Sequence, residues 1–421
     1  MEGIKKKIWL VNYYAMPPKY ESRLRTIKFA HYLIQSGYDV HIFSSSFLHN
    51  TNKDLIEDNR KYIEKEYDDL KFIHIKTIKY KTNGIFRIIS LIHFHFTLFF
   101  LKNKFNRPDI IIHTALPPFG NILYFLTRTL RAKYIVEVLD LWPESFVDLG
   151  LINKRNPLLF FFYGAEKWLY KRADKIVFSM EGGKDYIVDR KWDTSHGGPI
   201  DIQKTHYINN GVDLNDFSKN KILYKFEDRD LDNDKIKKII YIGSIRLANN
   251  LQELINAAII LKEFPNIKFL LYGDGDDREP LELYCKKEKL SNIIFKQKWI
   301  DPHYVPYVLS KSTVNILNYK SGNFGKYGGS QNKLFLYLAS GKPICSNLKM
   351  MYCLINKYNL GIAKEFTSSE EYADAILTLA NLDLESYTKM SNRAQEVAKK
   401  FDYKYLTDKM IKIIEELTNK K

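Results

Sequence analysis

The sequence predicts an α/β protein of two Rossmann-like domains, each a doubly wound parallel sheet, facing each other across a cleft. Two observations carry this expectation. Short apolar runs rich in β-branched residues alternate with longer segments of helical period, the order that builds βαβ units. That alternation lapses into a charged stretch near the middle and then starts again. The length agrees, because 421 residues exceed what one hydrophobic core serves comfortably.

In the first half, strands are expected at Lys7–Asn12, Asp39–Ser44, Phe72–Thr77, Ile110–His113, Tyr134–Leu139, Lys175–Ser179 and Thr205–Ile208. The first of these reads as four apolar residues between a lysine run and a polar loop, as a central parallel strand should. Arg25–Ser36 is helical by period, with Ile27, Phe29, Ala30, Leu33 and Ile34 on one face. Ser218–Lys238 is charged and lacks periodicity, which predicts a linker. Ile239–Gly243 then opens a second series. It runs through helix Leu251–Glu263, strand Lys268–Tyr272, helix Glu279–Lys289, strand Ile293–Lys296, helix Pro302–Ser310, strand Val314–Leu317, helix Asn332–Ala339 and strand Pro343–Ser346. The last segment is helical and amphipathic. The expected organisation is a first domain over 1–210, a second over 211–385, and helices over 386–421 that return to the first.

Composition narrows the function classes. Hydrophobic content of 45% and charged content of 27% are those of an ordinary globular protein. Three cysteines, Cys285, Cys345 and Cys353, have no metal-ligand spacing and suit a reducing compartment. The apolar run Ile8–Val11 lacks a cleavage site, so no secretory signal is expected. The net charge of +16 has no basic run interleaved with aromatics and no nucleic-acid module, which argues against nucleic acid as partner. A solvated lysine coat accounts for most of the charge, and an anionic membrane surface is the functional alternative. Ile85–Leu101 is the most apolar stretch, flanked by Lys79, Lys81, Lys102 and Lys104. It reads either as a helix resting in the headgroup layer or as a buried helix covering a sheet. Arg87, His93 and His95 interrupt it, and it falls short of a bilayer span. The run Leu158–Tyr163 before Lys167, Trp168, Lys171 and Arg172 is a second candidate.

Open α/β sheets bind ligands beyond the carboxyl ends of their strands. The stretch 321–333, between a strand and a helix, carries four glycines with Lys326 and Lys333. Its backbone can approach an anion closely, and Ser330 is placed to cap the helix that follows. A flexible glycine-rich turn is the competing reading. Arg246, just past Gly243 and Ser244, is available to a phosphate or is a plain surface arginine. Gly273-Asp274-Gly275 resembles an acidic metal loop, yet Gly-Asp-Gly after a strand is more often a turn, and no metal is assigned. Asp140 and Glu144 follow another strand and suit acid/base or hydroxyl-binding work, the competing reading being that Asp140 caps the next helix.

Taken in order, these segments resemble the retaining GT-B glycosyltransferases of family 4, in the branch that builds bacterial capsule and O-antigen polysaccharide. The resemblance spans nearly the whole chain. It runs from Tyr13-Tyr14-Ala15-Met16-Pro17-Pro18 with Ser22, Arg25 and Gly37-Tyr38-Asp39-Val40, through Asp140-Leu141-Trp142-Pro143-Glu144-Ser145 and Asn209-Asn210-Gly211-Val212-Asp213. It continues through Gly243-Ser244-Ile245-Arg246 and Tyr272-Gly273-Asp274-Gly275 to Asn332-Lys333-Leu334-Phe335. The resemblance implies a nucleoside diphosphate sugar as donor, bound by the second domain through Gly243, Ser244, Arg246, Gly273, Asp274, Gly328, Gly329, Ser330, Asn332 and Lys333. It implies no cofactor and no required metal. Asp140 takes the donor-sugar or oxocarbenium-stabilising role, with Glu144 a weaker candidate. Tyr13, Tyr14, Met16, Pro17 and Arg25 are expected on the acceptor side. The acceptor is expected to be a lipid-linked saccharide, and the protein cytoplasmic, peripherally attached to the inner face of the cytoplasmic membrane.

Two departures from the family pattern stand out. The wider family carries two glutamates eight residues apart at the donor loop, and Gly328 and Leu336 occupy those positions. Leucine cannot accept a ribose hydroxyl. The family's Arg and Lys after the Gly243 strand are Ser244 and Asn249. Two alternatives stay open: a catalytically weak partner subunit, to which Leu336 points, and a nucleotide-sugar epimerase of the same fold, against which the absence of an evident His/Glu constellation near the donor loop argues.

Overall fold

The computed structural model describes residues 5–20, 24–49, 51, 53–81, 84–148, 150–320 and 325–418. Ser22 and the first part of the glycine-rich stretch, 321–324, lie outside the described residues. The chain forms two compact units, Met1–Asn209 with Tyr403–Lys421, and Asn210–Asp402.

The first unit alternates β1 (Lys7–Val11), α1 (Arg25–Gln35), β2 (Asp39–Ser45), β3 (Tyr62–Tyr67), β4 (Leu70–Ile75), α2 (Ile85–Leu101), β5 (Ile110–Thr114), α3 (Leu123–Thr129), β6 (Lys133–Val138), α4 (Glu144–Asp148), α5 (Leu158–Arg172), β7 (Lys175–Phe178), α6 (Gly183–Asp189) and β8 (Thr205–Tyr207). Its described strands lie in the order β3-β4-β2-β1-β5-β6-β7-β8. Pairing is parallel except between β3 and β4. β1 is central and covered on both faces, which is why Ile8 and Trp9 alike are fully buried. The antiparallel β3 was not anticipated: Glu64, Lys65 and Glu66 give this edge strand exposed positions rather than an apolar run.

The second unit carries α7 (Leu214–Leu223), β9 (Lys237–Ile242), α8 (Leu251–Ile260), β10 (Ile267–Tyr272), α9 (Arg278–Lys287), β11 (Ile293–Phe295), α10 (Val305–Ser310), β12 (Val314–Leu317), α11 (Asn332–Ser340), β13 (Ile344–Ser346), α12 (Leu354–Lys357), β14 (Gly361–Ala363), α13 (Ser369–Ala380) and α14 (Leu384–Lys399). The sheet order is β11-β10-β9-β12-β13-β14, parallel throughout. Separate apolar clusters cover the two faces, one around Phe335 and Leu338, the other around Phe269 and Ile376. The stretch expected to be a linker begins inside α7, whose first turn is capped by the Asp213 carboxylate accepting from Asp216 N.

The closing segment divides instead of returning whole. α14 stays in the second unit, where Ala394, Val397 and Ala398 join the cluster of Phe335 and Leu338. The helix after it, α15 (Tyr403–Thr418), packs on α1 of the first unit, bringing Leu406, Met410 and Ile413 against Phe29 and Leu33. The apolar stripe changes partner at Phe401–Asp402, so the boundary falls there and not near residue 385. In each sheet the strand order reverses once, between β1 and β5 and between β9 and β12, and each reversal opens a crevice at the strands' carboxyl ends.

Candidate functional site

The loops leaving β9 and β10 are held together by glycines with positive φ: Gly243 at 146°, Gly273 at 129° and Gly275 at 152°. A Cβ on Gly273 would stand 1.9 Å from the Gly243 carbonyl oxygen, and one on Gly275 would stand 2.2 Å from that of Ile245. Ile245 N donates to Asp274 O at 2.8 Å. Arg278, buried in α9, pins the same loop: its guanidinium donates to Gly273 O, to Lys296 O at 2.6 Å and to Glu282 at 2.6 Å. Nothing in the sequence marks Arg278 for this, because its partners are mostly backbone carbonyls. Arg246 runs its side-chain stem over Gly275, with Cγ 2.8 Å from where a Cβ would sit, and is exposed, as is Asp274.

Lys333 reaches this place from the first turn of α11. A Cβ on Gly243 would lie 2.2 Å from Lys333 Cε, so the lysine lies directly across that glycine. Its Nζ donates to Tyr241 Oη at 2.8 Å and sits 4.4 Å from the centre of that ring. Tyr241 in turn donates to Ser244 O at 2.5 Å. Burial pushes the Lys333 ammonium down to about 7. No carboxylate among the described residues is within ion-pair distance of it. The arrangement is a desolvated cation without a counter-charge, over a floor of glycine backbone. Gly243→Ala is therefore expected to displace Lys333 and to abolish nucleoside diphosphate binding, read as loss of the ligand's thermal shift; an unchanged shift would sever Gly243 from the site.

The glycine-rich loop turns at Gly328 (φ 82°), whose N–H donates to Gly325 O at 3.0 Å. A Cβ on the next glycine, Gly329, would lie 2.3 Å from Gln331 Nε2. Ser330 does not cap α11. Its Oγ accepts from Asn210 N at 3.2 Å and its carbonyl from Asn210 Nδ2 at 3.1 Å. The cap position falls to Gln331, which makes no side-chain capping bond. The first turn of α11, with exposed Asn332, therefore keeps backbone N–H groups for an anion. Ser244 and Asn249, at the positions of the family's Arg and Lys, bond to each other, Oγ to Oδ1 at 3.1 Å. Leu336 packs against the apolar cluster of α11.

The first-unit candidates differ in exposure and in the bonds they make. Asp140, just past β6, is exposed. Glu144 is the ion-pair partner of Arg190 and accepts from Tyr163 Oη at 2.6 Å, while Arg190 stacks 3.6 Å over the Tyr163 ring. It ties α4 to α5 and α6, which makes it an anchor of the Trp142-Pro143 loop. Arg25, expected on the acceptor side, is buried and engaged within the first unit. It is 4% exposed, pairs with Glu137 at 2.9 Å, and donates to Asn209 O at 2.6 Å and Ile208 O at 2.9 Å. Glu137, the missed partner, also accepts from Thr114 at 2.9 Å. Tyr13, Met16 and Pro17 are buried, and Tyr13 Oη shares a 2.8 Å bond with Ser90 of α2. Tyr14 is half-buried and accepts from Arg87 Nε at 2.8 Å. Of the acceptor candidates, Tyr14 alone retains an exposed part. Among the described residues no group of three His, Cys, Asp or Glu side chains could hold a metal ion.

Residues 225–397 match the glycosyl transferases group 1 family. No curated protein matches the sequence significantly. Among solved structures, a glycosyltransferase from Rickettsia africae is 17% identical with a TM-score of 0.65, covering 99% of this chain and 100% of that one. The E. coli trehalose-6-phosphate structure bound with UDP-2-fluoro glucose is 11% identical, TM-score 0.73, with 97% and 98% covered. The Anabaena HepE protein in complex with UDP-glucose is 15% identical, TM-score 0.61, with 98% and 99% covered. At these identities the likeness establishes the fold. The matched domain in the second unit and the fold of the whole chain together support a GT-B glycosyltransferase.

Proposed function

We propose that the chain is a retaining family 4 enzyme that moves a hexosyl or N-acetylhexosaminyl group from a nucleoside diphosphate sugar to a lipid-linked saccharide. The reaction takes place at the inner face of the cytoplasmic membrane and serves capsule or O-antigen polysaccharide synthesis. The observation that carries the donor reading is Lys333: a desolvated ammonium with no carboxylate partner, set on Gly243 beside an uncapped helix start. A diphosphate supplies the missing counter-charge. As the bond between the sugar's anomeric carbon and the phosphate oxygen breaks, negative charge gathers on the leaving diphosphate. Lys333, Arg246 and the amides near Gly328 and Gly329 meet that charge without needing a metal. Asp140 stabilises the cationic sugar. The nucleotide-sugar complexes of the E. coli and Anabaena neighbours support a donor of this class.

Leu336 favours a second reading, a weakly catalytic partner subunit, because a leucine packed on the core offers the ribose no acceptor. Incubation with a panel of nucleotide sugars and saccharide acceptors separates the readings. The natural chain is expected to release nucleoside diphosphate and form a glycoside of retained configuration. If turnover appears only in Leu336→Glu, the partner-subunit reading replaces the first; epimerised donor without acceptor would point to the epimerase.

A further inference from the structure

α2 shows the interior of the first unit one face and solvent another. Leu91, Phe94, His95 and Leu98 are buried, and His95 Nδ1 is bonded to Leu91 O at 2.7 Å. Ile85, Ile89, Ile92, Phe96 and Phe100 follow at helical spacing on the other side, all exposed, Phe100 at 74%. α3 lies beside α2 and adds exposed Phe125. α5 joins the turn before α3 through Asn121 Nδ2 to Ala165 O at 3.0 Å, and α3 itself through Phe125 against Trp168, ring centres 5.8 Å apart. Its own first turn exposes Phe161 and Phe160, the latter at 88%. Three adjoining helices thus present one run of large apolar side chains, more than a soluble monomer leaves in water without use.

Charge identifies what covers it. Between residues 76 and 136 the sequence has ten Lys or Arg and one carboxylate, Asp109. α2 and α3 contain no acidic residue, and the one in α5, Glu166, is fully buried, accepting from Tyr170 at 2.7 Å and Tyr186 at 2.6 Å. A second copy of the same face would bring like charges together. An anionic bilayer brings the opposite charge and an apolar interior. Crossing that bilayer would strip α2 of its buried contacts, including Ser90 with Tyr13, so the helix lies along the surface.

We propose that the exposed faces of α2, α3 and α5 form one monotopic docking surface for an anionic lipid bilayer. The surface gives a concrete seat to the membrane location in the functional reading above, on which its purpose rests. It also sets Tyr14, held by Arg87 of α2, beside the layer that carries a lipid-linked acceptor.

Sedimentation with vesicles of phosphatidylcholine containing roughly one-third phosphatidylglycerol tests it. The full chain is expected to bind these vesicles, to bind pure phosphatidylcholine far less, and to be released by high salt. Phe160→Glu with Phe100→Glu is expected to cut the bound fraction about tenfold, whereas Leu384→Glu, on an exposed position of the second unit, leaves it unchanged. Retained thermal shift by UDP shows that the double variant is folded. Equal binding by variant and natural chain overturns the proposal, as does a dimer in sedimentation equilibrium that the double variant dissociates. Transfer to a water-soluble acceptor without vesicle binding sinks the docking surface alone; vesicle binding without any transfer sinks the enzyme reading alone.

Discussion

Lys333→Met is expected to lower kcat/KM for the nucleotide sugar by about 10²- to 10³-fold while leaving the unfolding midpoint unchanged or raised. The two effects have one cause. Burial lowers the lysine from its ordinary value of 10.5 to about 7, so folding disfavours its charged form. That cost is fully present below pH 7 and fades as pH rises toward the unfolded value, so at neutral pH a methionine of similar length relieves it. The diphosphate, in contrast, needs the charge. Binding must draw Lys333 back to the ammonium, and above pH 7 this means proton uptake. Affinity for UDP is expected to fall by up to about tenfold per pH unit above pH 7. Calorimetry in buffers of different ionisation enthalpy measures the proton directly. A pH slope that survives in Lys333→Met would remove the lysine from the site.

Arg25→Ala is expected to destabilise the chain by about 3–5 kcal/mol, a large part of a typical domain's stability. Arg25 and Glu137 are 4% and 5% exposed, and removing the arginine strands a buried carboxylate with Thr114 as its remaining side-chain partner. It also frees the carbonyls of Ile208 and Asn209, which the guanidinium holds at the end of β8. Arg25→Met with Glu137→Gln is expected to recover part of the loss, giving a coupling energy of the kind contacting residues show. Chemical denaturation supplies the numbers. Should Arg25→Ala keep its stability and lose only acceptor affinity, the ligand role inferred from the family pattern would be restored.

The contrast between these residues shows how much of the molecule was legible in its sequence. Short buried strands rich in aliphatic residues carry their own boundaries, and the expected Val314–Leu317 matches β12 end to end although Asn315 lies within it. β3 was invisible because its charged side chains follow an edge strand's exposure. α7 hid in a charged stretch because it buries one side chain, Phe217. In the site, Lys333 and Gly243 could be singled out by glycines and positive charge after a strand, yet their contact spans 90 residues of chain and only the fold supplies it. For Arg25, an arginine at a helix start looks the same in sequence whether it faces a ligand or a carboxylate 112 residues away, and the fold supplies the carboxylate. Ser330 misled: a serine before a helix suggests a cap, but Asn210 has taken its oxygen.

The change of partner between α14 and α15 makes the second unit an insertion within the first. Val212 N bonds to Phe401 O at 2.9 Å, so the outgoing and incoming strands of that insertion are clasped at its base. Emerging from the ribosome, residues 1–209 lack the helix that covers Phe29 and Leu33, and the inserted body, contiguous in sequence, completes first. A protein cut after residue 402 would keep the second unit whole and leave the first with an uncovered apolar face, to be restored by adding α15 as a separate peptide.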